Sequence, residues 1–277
     1  MKYGKIVRIA APSEAFDRFQ AMRAEGFELC HLVYKPEKYM PEDAEVIRRA
    51  AAECGITIVA VFAGFRDSFT KWNIYSDYMD AGINSEEYGA QRVEYLREVA
   101  RFVTDLGITD MLIHAGFVSN NPFSLEYKHM VSVLTPLAEY CRNIGVNLLL
   151  EMGGESPITM KRLIEDTGCD NVYVNLDTAN VIMYGYGNPV DAVHTLGKLI
   201  RSVHIKDGVP PTDTKVLGAE KDFCEGFVDF PRVLRGLAGI GFGGPFIIER
   251  EIPDGRQDEM LPKTRDKLDE MIKSILE

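Results

Sequence analysis

The feature that most restricts how this chain can fold is a repeated pairing of short apolar runs with longer amphipathic ones. Lys5–Ala10, Gly26–Val33, Ile56–Phe62, Thr109–His114, Val146–Glu151, Asn171–Leu176, Arg201–Lys206 and Pro245–Glu249 are short and rich in β-branched residues. Such runs read as buried strands. Between them lie stretches with helical periodicity: Ser13–Glu25, Pro41–Cys54, Glu86–Leu106, Ser124–Ile144, Pro157–Thr167, Pro189–Leu199, Phe230–Leu237 and Asp258–Leu276. In Glu86–Leu106 the apolar positions Val93, Leu96, Val99, Ala100 and Val103 fall on one face. Gly55, Gly107, Gly145 and Gly168 stop their helices and Pro41 opens one, as the different demands of the two helix ends predict. A strand, a crossover helix and a parallel strand form a right-handed unit. Eight such units in succession close into a (β/α)8 TIM barrel. The 277 residues suit one barrel domain spanning 1–277. No GxGxxG follows the first strand, which argues against an open dinucleotide-binding sheet.

In such a barrel the carboxyl ends of the strands converge on one pocket. Those ends carry His31 on strand two, His114 on four, Glu151 on five, Asp177 on six, His204 on seven and Glu249 on eight. A single acid at a strand end has an ordinary explanation as a helix cap or ion-pair partner. Four consecutive strands delivering Glu, Asp, His and Glu would need that coincidence four times. Three carboxylates crowded together repel unless a cation sits between them. The set therefore points to a divalent metal held by Glu151, Asp177, His204 and Glu249. Three oxygen donors and one imidazole suit Mn²⁺ best, then Mg²⁺ or Co²⁺, with Zn²⁺ less characteristic.

Other function classes are set aside by charge and composition. A net charge of −11 with no Lys/Arg run opposes nucleic-acid binding, which rests on neutralising phosphates. No apolar run approaches the 18 or so residues of a membrane span, and the first residues do not resemble a signal peptide. The five cysteines are scattered without CxxC spacing, as in a reduced cytoplasmic protein. The long connection Ala63–Ser85 carries Phe65, Phe69, Trp72, Tyr75 and Tyr78. Connections of this length tend to be functional, and Trp72 and Phe69 are the candidates to close over a ligand.

The segments Leu-Leu-Leu-Glu-Met-Gly-Gly-Glu-Ser (148–156), Val-Asn-Leu-Asp-Thr-Ala-Asn (174–180), Val-His-Ile-Lys-Asp-Gly (203–208), Glu-Gly-Phe-Val-Asp-Phe (225–230) and Gly-Pro-Phe-Ile-Ile-Glu-Arg-Glu (244–251) resemble the xylose isomerase-like TIM-barrel superfamily. That superfamily includes tagatose and allulose 3-epimerases, hydroxypyruvate isomerase, inosose dehydratase and, more distantly, endonuclease IV. The resemblance covers nearly the whole chain. It implies the same four metal ligands, with Glu151 and Glu249 doubling as the acid/base pair. It also implies a sugar or hydroxy-ketone substrate, proton abstraction through a cis-enediolate, and a dimer or tetramer. Expulsion of a β-hydroxyl would make the outcome a dehydration. An endonuclease IV-like phosphodiesterase would need more than the five histidines and a basic groove, and a sugar-binding barrel without catalysis is the third reading. His114, His31, Glu155, Asn180, Lys206 and Trp72 are the expected substrate contacts, and Asp207 is placed to orient His204. Three departures from the 3-epimerase pattern separate this chain from those enzymes: Asn180 where they have histidine, Pro210 where they have arginine, and Pro157 where they have glutamate. The substrate expected is therefore not tagatose or allulose.

Overall fold

The structure, a computed structural model, describes residues 2–67 and 81–276. Eight parallel strands close into a barrel: β1 (Tyr3–Ile9), β2 (Leu29–Tyr34), β3 (Thr57–Ala63), β4 (Asp110–Ile113), β5 (Asn147–Glu151), β6 (Val172–Asp177), β7 (Ile200–Ile205) and β8 (Phe246–Ile248). β8 pairs back onto β1, with Tyr3 opposite Phe246. The helices α1 (Ala15–Ala24), α2 (Pro41–Glu53), α3 (Gly89–Asp105), α4 (Leu125–Asn143), α5 (Pro157–Thr167), α7 (Pro189–Leu196), α8 (Phe230–Gly239) and α9 (Gln257–Leu276) connect the strands and close the chain. A one-turn helix, α6 (Asn180–Met183), follows β6. None of the described helices is long and apolar enough to cross a membrane.

Alternation along the strands sorts side chains into two layers. Phe62, Leu112 and Leu149 pack with Ile6, Val33 and Tyr173 as one cluster, which fills the barrel interior. The intervening residues, such as Val61, Met111, Leu148, Leu150, Val174 and Leu176, join helix residues such as Phe19, Leu96, Leu134 and Leu163 in the larger core. Capping follows the sequence in several places. Ser124 accepts from Tyr127 N–H, Ser156 from Thr159 N–H and Asp229 from Arg232 N–H, each satisfying a donor that the first helical turn leaves open.

Several boundaries differ from expectation. The helix expected from Ser13 begins at Ala15, and Ser13 lies in a 3-10 turn, Pro12–Glu14, that precedes it. The helix expected from Glu86 begins at Gly89, because Ser85 Oγ accepts from Tyr88 N–H and holds a turn there. The segment after β7 contains an unexpected hairpin, Asp207–Val209 against Ala219–Lys221. Trp72 and Phe69 lie outside the described residues.

The segment from Gly82 to α3 begins with an anchored turn. Gly82 bridges Gly116 beyond β4, and a Cβ on Gly82 would stand 2.1 Å from the Ala115 carbonyl oxygen, so no other residue fits. Arg92 of α3, 1% exposed, donates to Gly82 O (2.7 Å) and forks onto both Asp67 oxygens (2.9 and 2.8 Å). Arg92→Ala removes the fork from a mostly buried carboxylate, and breaking a buried pair typically costs about 3–5 kcal/mol. The expected result is a loss of about 3 kcal/mol in urea unfolding. Arg92→Lys should recover little of it, because an ammonium cannot fork. A loss below about 1 kcal/mol would show that this anchor is not structural.

Candidate metal centre and active site

β6 ends in Asp177, and its register sets Asp177 directly opposite His204 of β7. Glu151 closes β5 opposite Asn175, two residues earlier on the same inward face of β6. Glu249 follows β8 and donates its N–H to Ile205 O. These strands therefore bring Glu151, Asp177, His204 and Glu249 together, with one ligand atom from each within 4.8 Å of the others. All four are buried.

Hydrogen bonding shows which atoms are committed. Asp177 Oδ1 accepts from the N–H groups of Ala179 and Asn180, both at 2.8 Å, at the start of α6. Asp177 Oδ2 and Glu151 Oε2 are buried without a hydrogen-bond donor. His204 Nδ1 lies 3.1 Å from Glu151 Oε1 and 3.0 Å from Glu249 Oε2. Buried carboxylate oxygens without donors, facing an imidazole nitrogen, suit a bound cation, because orphaned buried acceptors are otherwise costly. The residues therefore fit a divalent ion.

Titration behaviour expresses the same demand for positive charge. Burial drives the Asp177 carboxyl well above the ordinary carboxylate range, against the pull of Lys206. Glu249 goes the other way: burial opposes its charge, but Lys206 and His204 outweigh that and hold it well below. For His204 burial disfavours the imidazolium, yet Glu151 and Glu249 push it up to about 10. Lys206 stays protonated for the same reason, Glu249 and Asp177 outweighing burial.

A cavity of about 270 Å³ opens above the cluster, lined among others by His114, Glu151, Asn180, Lys206 and Glu249. His114 Nε2 lies 3.5 Å from Glu151 Oε2. Asn180 lines the cavity and donates its side-chain N–H to Met152 O (3.2 Å). Lys206 pairs with Glu251 and lies 3.6 Å from Glu249 and 3.9 Å from Asp177. A larger cavity, about 670 Å³, sits at the opposite end of the barrel around Asp110 and Arg201. It holds none of the four cluster residues. Its Asp110–Arg201 pair, 2.6 Å apart, is instead a link between β4 and β7.

Three expected roles change. His31 is not among the residues lining the cavity. It is fully buried beneath the cavity, its Nδ1 2.9 Å from His204 Nε2 and its Nε2 3.3 Å from Ser202 Oγ. It therefore backs His204, as outer partners of ligating imidazoles do where a metal is bound. Asp207 does not orient His204; its carboxylate accepts from the N–H groups of Gly208, Gly226 and Val228 and pins the hairpin loop. Glu155 is not among the cavity residues. It is 2% exposed and folds back to accept from Gly153 N–H (3.0 Å). Arg8, Lys35 and Phe62 also line the cavity and were not anticipated, although alternation from Ile6 and Val33 puts Arg8 and Lys35 on the inward face, where Phe62 of β3 also packs.

Burial raises Glu155 to about 7, with the Gly153 N–H opposing and Glu151 adding to the shift. Its folded value lies above its unfolded one, so the native state binds that proton more tightly. Its stabilising contribution is complete below about pH 4.5 and is lost as pH rises through about 7. The shift corresponds to about 3 kcal/mol. Glu155→Gln should therefore gain about 3 kcal/mol over the parent between pH 4.5 and pH 8 in urea unfolding. Parallel pH profiles for the two proteins would refute this placement.

No curated protein matches the sequence significantly. Among solved structures, a xylose isomerase domain protein from Planctomyces limnophilus is 27% identical, with TM-score 0.87 over 99% of this chain and 98% of that one. An L-ribulose 3-epimerase is 19% identical, with TM-score 0.75 over 100% and 96% of the two chains. A xylose isomerase-like TIM barrel protein from Mycobacterium smegmatis, in complex with magnesium, is 18% identical, with TM-score 0.71 over 97% and 91%. At the two lower identities the likeness is one of fold. The sequence profile described as xylose isomerase-like TIM barrel matches residues 16–274, and the chain belongs to that family.

Proposed function

We propose that this protein is a divalent-metal-dependent isomerase or epimerase acting on a small sugar or hydroxy-ketone. The observation that carries the reading is the convergence of Glu151, Asp177, His204 and Glu249, with two buried oxygens lacking donors. These four residues would hold the ion, Mn²⁺ by preference for an oxygen-rich set with one imidazole. When bound, the ion would act as a Lewis acid, polarising a carbonyl and offsetting charge as the neighbouring carbon loses its proton.

The remaining chemistry falls to side chains. Glu151 and Glu249 come from β5 and β8, with β6 and β7 between them, so their carboxylates can address a substrate from two sides. One takes the proton from the carbon beside the carbonyl, giving a cis-enediolate. A proton returned to the opposite face gives the epimer, and one returned to the adjacent carbon gives the isomer. Lys206 keeps Glu249 ionised as a base and offsets the growing negative charge. His114 and Asn180 are placed to bind hydroxyls. A cavity of about 270 Å³ lies near the lower end of small-molecule sites and suits a monosaccharide. The fold shared with L-ribulose 3-epimerase supports epimerisation. Ketohexoses, pentuloses, inososes and keto-glycosides incubated with the Mn²⁺-loaded protein in D₂O test the reading. At least one should take up deuterium beside its carbonyl, and no uptake in any of them would overturn it.

A further inference from the structure

The same cavity contains two cations that the chemistry above does not use. Arg8 lies on the inward face of β1, two residues beyond Ile6 and opposite Val33 of β2. Lys35 continues the inward face of β2 past Val33, and both residues line the cavity. Lys35 lies across Gly64, where a Cβ would stand 2.4 Å from its Nζ, and it donates to Phe65 O at 3.5 Å. The ammonium is thus held over the end of β3, on the cavity side.

Other charges of the cavity have opposite charges beside them. Asp67 is forked by Arg92. Glu251 pairs with Lys206, and its backbone N–H donates to the Glu220 carboxylate. A divalent ion held by the cluster would offset two of the three carboxylate charges there. Among the described residues no carboxylate lies within ion-pair distance of Arg8 or Lys35. Neighbouring cations repel, and Arg8 adds to burial in holding the Lys35 amine below its ordinary value, with Asp67 opposing. In a chain of net charge −11, this local surplus sits at the cavity mouth, beside β1 and β2, and across the barrel from Asp177.

Resting on the sugar isomerase reading, we propose that Arg8 and Lys35 form an anion subsite, so that the substrate carries a carboxylate or a phosphate on the end remote from the reacting carbonyl. A guanidinium offers a flat fork and an ammonium a point charge, and both form charge-assisted hydrogen bonds with such a group. The geometry makes Arg8 and Lys35 determinants of specificity rather than of proton transfer.

Calorimetry with the Mn²⁺-loaded protein separates this subsite from the reaction, using inert polyols in two pairs. Ribitol 5-phosphate against ribitol tests a phosphate, and gluconate against sorbitol tests a carboxylate. At least one anionic member should bind roughly 10-fold or more tightly than its neutral partner. Arg8→Gln with Lys35→Gln should bring that affinity down to the neutral level, while Mn²⁺ affinity and binding of the neutral polyol stay unchanged. Gly64→Ala, which displaces the Lys35 amine without removing its charge, should lose part of the preference. Equal affinities within both pairs, absence of binding by all four polyols, or an anion preference that survives the double variant would overturn the proposal. A protein that keeps the anion preference yet exchanges no deuterium with any ketose would instead refute the isomerase reading and leave the subsite standing.

Discussion

Glu249→Gln should lower solvent deuterium uptake into the substrate by at least about 10³-fold while leaving the barrel folded. The amide cannot accept the proton, and loss of a positioned general base alone typically costs 10²–10⁴-fold. It also removes an anionic donor from the cluster, where Glu249 Oε2 faces His204 Nδ1 at 3.0 Å. Glu151→Gln should be comparably damaging, because the proton must be given back from the other side. The two variants differ in an instructive way if Glu249 is the base in one direction. A substrate chirally deuterated beside the carbonyl would then retain its label in Glu249→Gln and exchange it slowly in Glu151→Gln. Mass spectrometry of the recovered substrate reads both outcomes, and near-normal exchange in Glu249→Gln would remove it from the reaction.

The second large effect is expected at Lys206. Its side chain is 3% exposed and lies among Glu249, Asp177 and Glu251. Lys206→Met keeps the aliphatic stem but removes the charge. Glu249 and Asp177 then share a buried space with less compensation, and breaking buried pairs of this kind costs about 3–5 kcal/mol. The metal-free variant should therefore unfold at clearly lower urea. Turnover should fall by about 10²–10³-fold, the usual effect of removing one charge-stabilising donor. Adding Mn²⁺ should restore much of the stability but not the turnover, because an ion in the cluster replaces the lost charge beside the carboxylates and not the group over the substrate. A variant with parental turnover would confine Lys206 to a structural role.

The convergence of the four cluster residues was legible in the sequence because two simple regularities meet there. Alternation fixes which face of a strand a residue takes, and the carboxyl end of a strand is where its inward residues become accessible. Glu151, Asp177, His204 and Glu249 needed nothing more. His31 shows where this reasoning stops. It too faces inward, but β2 runs on to Tyr34, so Val33 takes the level of the cavity wall and His31 lies one layer below, against His204. The level reached by an inward residue depends on the stagger between neighbouring strands, and no single strand's sequence encodes that.

Loop residues failed for a different reason. Glu155 and Asp207 lie just past strands that supply the cluster residues, yet each folds back onto nearby backbone N–H groups. Short acidic side chains in tight loops compete for such donors, and the outcome depends on loop geometry. The hairpin Asp207–Val209/Ala219–Lys221 was hidden because its three-residue strands are too short to show periodicity. Arg8 and Lys35 were missed because a charged residue at the end of a strand reads as solvent-facing until the neighbouring strand ends are seen to enclose a cavity.

The central claim is that four side chains from adjacent strands form one divalent metal site. Titrating Mn²⁺ into metal-free protein by calorimetry tests it most directly, with Asp177→Ala and His204→Gln beside the parent. One tightly bound ion per chain is expected in the parent, and none in either variant, with both variants still folded by circular dichroism. Mn²⁺ binding of unchanged stoichiometry and affinity in Asp177→Ala and His204→Gln would contradict the account.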